Sequence, residues 1–402
     1  MDSAAGWSGR QLRGGCLTRR AIPHSISAHM KLLFRSIVTI VLAHAVQARD
    51  VWTPAQAEAW GKQQEWLVGA NFTPASAINQ LEMWQAETFD AAGIERELGW
   101  AEAIGMNTMR VFLHDLLWQQ DAKGFQQRID LFLTICQKHR IKPMLVLFDS
   151  CWDPAPKLGK QRDPRPGVHN SGWVQSPAVA VLQDEAQWPR LKAYTRELIT
   201  AFKDDARILA WDVANEPGNA NGASYGDGGL KLEPPNKAAL GFKLVKAALE
   251  WAYEADPSQP VTAAPWGGDW SSLDKMDEMA RHLFTHSDIL TFHNYGPADD
   301  FERRVVALEA LKRPVICTEY MARPAKSTLQ GNLPVAKKHN VGMINWGFVA
   351  GKTNTIHPWR TWKQPTAGAE PNVWFHDLLR PDGTPYRQEE IDLIKQLTGK
   401  AR

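Results

Sequence analysis

Residues 208–217 read ILAWDVANEP, a mostly apolar run that ends in Asn215, Glu216 and Pro217. A short apolar run that stops at a proline is typical of a buried strand, because proline cannot donate to a strand ladder. Seven further runs flank it, at residues 66–71, 107–113, 143–148, 260–264, 289–293, 314–319 and 342–348. The chain therefore contains eight predicted strands.

Helical periodicity fills the intervals between these strands. The predicted helices lie at residues 94–104, 125–139, 188–202, 237–255, 276–285, 301–311, 329–340 and 388–397. Strands that alternate with helices favour a parallel sheet, and eight such units favour a (β/α)8 TIM barrel in the α/β class. We expect residues 49–402 to form this barrel as a single domain, with long loops after strands one, three and eight.

The composition is typical of a globular protein and argues against nucleic-acid binding. Of 402 residues, 44% are hydrophobic and 22% are charged, as in ordinary globular proteins. The net charge of +2 leaves no large basic excess, so we expect no nucleic-acid partner. The 18 Trp outnumber the 14 Phe and the 6 Tyr, and those in the long loops suit stacking on a flat ligand face. Nothing in the sequence indicates the oligomeric state.

The amino-terminal region has the pattern of a secretory signal peptide. A basic start at residues 30–35 precedes a mostly apolar run at 36–46, and Ala48 suits a cleavage site. We expect residues 30–48 to be this signal peptide and residues 1–29 to be a misassigned upstream start or an extension. The mature protein is then secreted or periplasmic, without a membrane partner. The alternative is a membrane anchor, for which the apolar run is short.

Cysteines and histidines give no sign of a metal or cofactor. Cys136, Cys151 and Cys317 are widely spaced and match neither a disulfide framework nor a zinc motif. His282 and His286 have the i, i+4 spacing of a zinc site, but residues 283–285 lack the glutamate of the zinc-protease motif. The sequence therefore implies no cofactor and no metal.

Two predicted strands end in a glutamate, Glu216 on the fourth and Glu319 on the seventh. The carboxyl ends of barrel strands form the working face of this fold. Glycoside hydrolysis needs two carboxyl groups: one protonates the departing oxygen, and the other attacks the anomeric carbon or activates water. A separation of about 5 to 5.5 Å predicts retention of configuration, and about 9 Å predicts inversion. Asn215 and Glu216 are neighbours, so both reach the site only if the strand ends there.

The strand ends, taken in order, resemble those of a known group. The matching residues are Arg110 at strand two, Asn215-Glu216-Pro217 at strand four, His293-Asn294-Tyr295 at strand six, Thr318-Glu319-Tyr320 at strand seven and Trp346 in strand eight. This set is similar to that of the clan A retaining glycoside hydrolases, which include the cellulase-like family 5. Family 5 members commonly carry a histidine at the end of strand three, where this chain has Asp149.

The resemblance implies a hydrolase that cleaves a β-linked glucan, mannan, xylan or galactoside by double displacement. Glu319 is the expected nucleophile and Glu216 the expected acid/base. The residues predicted to bind substrate or to orient the pair are Arg110, Asn215, His293, Tyr295, Trp346, His114, Trp152 and Trp266. Trp84 and Trp173 are further stacking candidates.

Two other functions fit the same residues. One is a barrel that binds carbohydrate without cleaving it. The other is a transglycosylase, in which a sugar rather than water resolves the glycosyl-enzyme. Product analysis separates these functions, and the sequence leaves them open.

Overall fold

The computed structural model describes residues 48–222 and 233–400. Its strands are β1 (Val68–Asn71), β2 (Thr108–Phe112), β3 (Lys142–Asp149), β4 (Ala210–Asn215), β5 (Val261–Thr262), β6 (Leu290–His293), β7 (Val315–Glu319) and β8 (Gly342–Asn345). They form one parallel sheet in the order β5-β4-β3-β2-β1-β8-β7-β6. Each of the eight predicted runs overlaps one of these strands, so the predicted (β/α)8 barrel is confirmed.

The barrel closes between β5 and β6 through side chains as well as backbone. The Asp288 N–H donates to the Val261 carbonyl at 2.8 Å, and the Asp288 carboxylate accepts from the Val261 N–H at 2.8 Å. The hydroxyls of Thr262 and Thr291 lie 2.7 Å apart. Because β5 has only two residues, these contacts replace a regular ladder at this seam.

Helices surround the sheet. They are α1 (Pro54–Gly61), α2 (Gln80–Trp84), α3 (Ala91–Ile104), α4 (Asp115–Lys138), α5 (Val179–Leu182), α6 (Trp188–Phe202), α7 (Lys237–Glu254), α8 (Glu278–Thr285), α9 (Ala298–Glu309), α10 (Leu329–Lys338) and α11 (Gln388–Thr398). Short 3-10 turns lie at Glu185–Gln187, Leu273–Lys275, Arg323–Ala325 and Trp359–Trp362. All eight predicted helices are present, and α1, α2 and α5 are additional.

The ends of the helices follow from capping. Asp90 accepts a hydrogen bond from the Gly93 N–H at 2.9 Å where α3 begins, and Gly105 ends that helix at φ 95°. A left-handed residue at this point favours glycine, which has no Cβ to clash. Helix α4 starts ten residues before its predicted start at residue 125, because His114 caps its first turn. Asp121 interrupts it with a non-helical φ of −157°.

The barrel interior is filled by apolar side chains. Met144 on β3, Ile316 on β7 and Ile344 on β8 belong to one buried cluster. Since β3 and β7 are not neighbours in the sheet, this contact passes through the barrel. A packed interior leaves the carboxyl ends of the strands as the place for a cleft.

The predicted signal peptide and the upstream extension lie outside the described residues, apart from Ala48. Within residues 48–222 and 233–400, each helix is too short or too polar to cross a bilayer.

Candidate active site

Strand register places the polar residues predicted for the site side by side. Asp149 at the end of β3 lies opposite Asn215 at the end of β4. His293 at the end of β6 lies opposite Glu319 at the end of β7, after a shift in register at Phe292. The carboxyl ends of four strands therefore bring these side chains to one edge of the barrel.

A cleft of about 560 Å³ opens at this edge. The predicted residues that line it are Asn215, Glu216, His293, Tyr295, Glu319, Trp152, Trp266 and Trp346. Trp266 is 37% exposed, whereas Trp152 and Trp346 are each 9% exposed. Trp270 and Trp359 line the cleft too, so it combines the two glutamates with five indole rings, and Asp300 adds a third carboxyl group.

Two donors hold Glu319. The Arg110 guanidinium donates to Oε1 at 3.0 Å, and the Tyr295 hydroxyl donates to Oε2 at 2.8 Å. The carboxyl group is almost fully buried. Donors on both oxygens favour the ionised form and fix the direction in which the carboxylate can attack.

Arg110 is fully buried and connects the strand ends. Besides Glu319, it donates to Asp212 Oδ2 at 2.9 Å, to Asn71 Oδ1 at 2.9 Å and to Asn215 Oδ1 at 2.8 Å. One planar guanidinium thus positions side chains from β1, β4 and β7.

Replacing Arg110 with methionine is expected to destabilise the barrel by about 3–5 kcal/mol, because two buried carboxylates lose their cation. Urea unfolding measures the loss. The matched control is Arg303→Met, since Arg303 is more than half exposed and pairs with Asp299 at the surface, so its loss should leave the free energy of unfolding nearly unchanged. Equal losses for the two variants would contradict the role of Arg110.

Glu216 reaches the same cleft because the strand stops. β4 ends at Asn215, and Glu216 adopts a left-handed φ of 44°, so these two neighbours both line the cleft. Glu216 Oε1 lies 3.0 Å from Nδ1 of His293. Oε2 accepts from the Asn219 amide and from the Cys151 thiol, the latter at 3.1 Å.

The two carboxyl groups are close enough for retention. One oxygen of Glu216, one oxygen of Glu319 and one ring nitrogen of His293 all lie within 4.8 Å of one another. Inverting enzymes need room for a water molecule and hold their carboxyl groups about 6.5–9.5 Å apart. The spacing therefore favours direct attack on the sugar by one carboxylate.

Burial raises the pKa of both carboxyl groups. Burial is the largest cause for each, and the nearby charge of Glu216 raises the pKa of Glu319 further. Burial lowers the pKa of His293 to about 4, so this ring is neutral at neutral pH. Two carboxyls this close share one proton. Arg110 and Tyr295 donate to both oxygens of Glu319, whereas Oε1 of Glu216 faces Nδ1 of the neutral His293 ring, so we expect the shared proton on Glu216.

The pair is expected to titrate in two steps, the upper one raised because the second proton leaves beside an existing charge. Either Glu319→Gln or Glu216→Gln removes that charge. Each variant should therefore lose the upper step and show one carboxyl that titrates at lower pH. Carbon-13 NMR of labelled glutamate follows this directly. An upper step that persists in both variants would contradict the pairing.

The same three side chains are the described group closest to a metal-binding arrangement. Each carboxylate oxygen in it already has a polar partner: Arg110 and Tyr295 donate to Glu319, Asn219 and Cys151 donate to Glu216 Oε2, and Glu216 Oε1 faces the His293 ring. Nitrogen, hydroxyl and thiol donors fit carboxylates in acid–base chemistry better than a cation site.

His114 is not supported as a substrate contact. It is fully buried; its Nδ1 accepts from the Leu116 N–H at 3.1 Å and its Nε2 lies 3.0 Å from the Gln175 carbonyl. Both ring nitrogens therefore serve the backbone. His114 follows β2 closely in sequence, which is why its position suggested the cleft.

Trp84 and Trp173 are also core residues. Trp84 is fully buried, donates to the Phe112 carbonyl at 2.8 Å and packs edge-on against Phe132. Trp173 is 2% exposed and donates to Asp149 at 2.6 Å. Trp84 ends α2 in the connection after β1, and Trp173 lies in the loop after β3. A position in a long connection does not show whether an indole ring lines the cleft or packs beneath it.

Four residues at the site were not predicted from the sequence. Cys151 and Asn219 contact Glu216, Asn71 contacts Arg110, and Trp359 lines the cleft with its ring 4.9 Å from that of Tyr295. Asn71 ends the first apolar run, so its position at a strand end was an available signal. The other three lie in loops; Trp359 carried the general signal of a Trp in a long loop, and Cys151 and Asn219 carried none.

The fold and the site together define a class: a (β/α)8 barrel with a buried, donor-supported carboxyl pair at its strand ends. No family model and no curated protein matches the chain. Similarity to solved structures is at the level of the fold.

Three such structures illustrate it. The exo-β-1,4-mannosidase Op5Man5 from Opitutaceae bacterium strain TAV5 has a TM-score of 0.54 at 17% identity, covering 83% of this chain and 60% of its own. A GH5_18 variant from Streptomyces cattleya in complex with Manβ1-4GlcNAc has 0.52 at 14%, covering 82% and 80%. The endo-β-1,4-mannanase from Thermotoga petrophila has 0.52 at 14%, covering 84% and 77%. The barrel expected from the family 5 resemblance is thus the barrel that the structure has.

Proposed function

We propose that the protein is a retaining glycoside hydrolase acting on a β-linked oligo- or polysaccharide. The observation that carries this proposal is the carboxyl pair: two buried glutamates with oxygens within 4.8 Å, one held by Arg110 and Tyr295 and the other facing His293. The cleft around them is lined by indole rings, which suit the apolar faces of sugar rings.

In the first step, Glu319 attacks the anomeric carbon and forms a C–O bond as the glycosidic C–O bond breaks. Glu216 transfers its proton to the departing oxygen, so the leaving group departs neutral. The charge on Glu319 is consumed when the ester forms. This lowers the pKa of Glu216 and prepares it to act as a base.

In the second step, Glu216 takes a proton from water as the water oxygen attacks the anomeric carbon. The bond to Glu319 breaks, and the sugar leaves with its original configuration. Asn215 lines the cleft beside Glu216 and is placed to donate to the 2-hydroxyl of the sugar, a contact that strengthens in the transition state.

The test is incubation of residues 49–402 with β-mannan, β-glucan, xylan, β-galactoside and their aryl glycosides, with products identified by mass. The solved structures named above make Manβ1-4GlcNAc a natural addition to this panel. Glu216→Gln and Glu319→Gln serve as controls. Cleavage by the wild type that both substitutions abolish supports the proposal. Binding without cleavage by folded wild type would favour a carbohydrate-binding barrel instead.

A further inference from the structure

Asp149 occupies the end of β3, directly opposite Asn215 in the sheet register. Its side chain is 3% exposed and accepts from the Asn215 amide at 2.9 Å. Asp149 is absent from the cleft lining, whereas Asn215 lines the cleft. Asp149 therefore reaches the cleft only through residues that line it, Asn215 and the backbone of Cys151.

The orientation of the Asn215 amide is determined by its two partners. Its Oδ1 accepts from the Arg110 guanidinium at 2.8 Å, and its Nδ2 donates to Asp149 Oδ1 at 2.9 Å. A guanidinium can only donate and an ionised carboxylate can only accept. If the amide were flipped, its NH₂ group would face the Arg110 guanidinium and its oxygen would face the Asp149 carboxylate, and neither pair could form a hydrogen bond. The NH₂ group must therefore lie on the Asp149 side.

One hydrogen of that NH₂ group is left for a ligand. The first points to Asp149, and the nearest other contact of Nδ2 is the Cys151 sulfur at 3.9 Å, a weak acceptor at long range. Because the Oδ1 end is directed at Arg110, Asn215 offers the cleft a donor and no free acceptor.

Asp149 is itself held in place. Its Oδ1 also accepts from the Cys151 N–H at 2.9 Å, and its Oδ2 accepts from Trp173 Nε1 at 2.6 Å. Trp173 packs edge-on against Trp346, with ring centroids 6.0 Å apart. Three donors converge on one carboxylate, so its position is rigid.

We infer that Asp149 is a positioning residue that, through Asn215, aims one N–H at the 2-hydroxyl of the sugar and so makes the enzyme selective for substrates that carry this hydroxyl. The inference rests on the proposed function. An asparagine at position 149 could not replace the carboxylate. Its NH₂ group, a donor, would face another donor, either Trp173 Nε1 or Asn215 Nδ2.

The test compares two matched aryl glycosides, one with the 2-hydroxyl and one 2-deoxy, using kcat/KM for each enzyme. Asp149→Asn is expected to lower kcat/KM about 10- to 100-fold on the hydroxyl substrate, the range of a hydrogen bond to a charged group, and far less on the 2-deoxy substrate. Both substrates are assayed on the same enzyme sample. Partial unfolding of a variant lowers both values of kcat/KM equally and leaves their ratio unchanged.

Asn215→Ala provides the matched comparison. It should reduce the same ratio, and the double variant should lose no more selectivity than Asn215→Ala alone. Equal losses on both substrates in Asp149→Asn would overturn the role of Asp149 and leave the hydrolase proposal intact. Wild type that cleaves neither substrate nor any member of the panel would overturn the hydrolase proposal and this one with it.

Discussion

Alanine in place of Glu319 is expected to lower kcat/KM by about 10⁴-fold or more, because the attacking group is gone. Arg110 and Tyr295 then face a space where the carboxylate was. A small anion such as azide can enter that space and attack the anomeric carbon in one displacement. Azide should therefore restore turnover of an activated aryl β-glycoside and give the α-glycosyl azide.

The configuration of this azide product is read by proton NMR. Tyr295→Phe is the matched control, since it removes one donor to Glu319 and keeps the nucleophile; it should lose activity without giving an inverted azide product. A Glu319→Ala variant that keeps more than a tenth of wild-type activity, or that gives the β-azide, would show that Glu319 is not the nucleophile.

Alanine in place of Glu216 is expected to produce a loss that depends on the leaving group. An alkoxide leaving group needs a proton, so cleavage of an oligosaccharide should fall about 10²- to 10⁴-fold. A dinitrophenolate leaves without a proton, so formation of the glycosyl-enzyme from that substrate should change little. The slow step then becomes release from Glu319.

Azide should accelerate that release, because azide attacks without the help of a general base. It attacks the glycosyl-enzyme from the face opposite Glu319, in the space vacated by Glu216, and the second inversion yields the β-glycosyl azide. Burst kinetics and product NMR measure both effects. The same fractional loss on oligosaccharide and dinitrophenyl substrates would exclude Glu216 as the acid.

The strands and the carboxyl pair could be predicted because both obey rules that a sequence displays. Barrel strands are buried on both faces, so each is a continuous apolar run, and a polar residue that ends such a run lies at the working edge. Glu216 and Glu319 satisfy this rule. Asn71 satisfies this rule too, but an asparagine at a strand end does not by itself indicate catalysis.

The loop residues that hydrogen-bond to the carboxyl pair could not be predicted, because their positions depend on how the loops fold. Cys151 and Asn219 reach Glu216 from the loops after β3 and β4, and no strand periodicity places them there. His114 and Trp84 show the reverse error. In the sequence, His114 closely follows the second strand and Trp84 lies in the connection after the first. In the structure, His114 caps α4 and Trp84 packs in the core, so their polar groups point away from the cleft.

The most direct test of the account is to trap the covalent intermediate. An activated 2-deoxy-2-fluoro β-glycoside of the sugar that the panel identifies slows both displacements, while its good leaving group lets the first proceed. Digestion and mass spectrometry then locate the adduct. We expect one sugar attached to the peptide that contains Glu319, and none in Glu319→Gln. An adduct on the Glu216 peptide, or inverted product with no adduct, would contradict it.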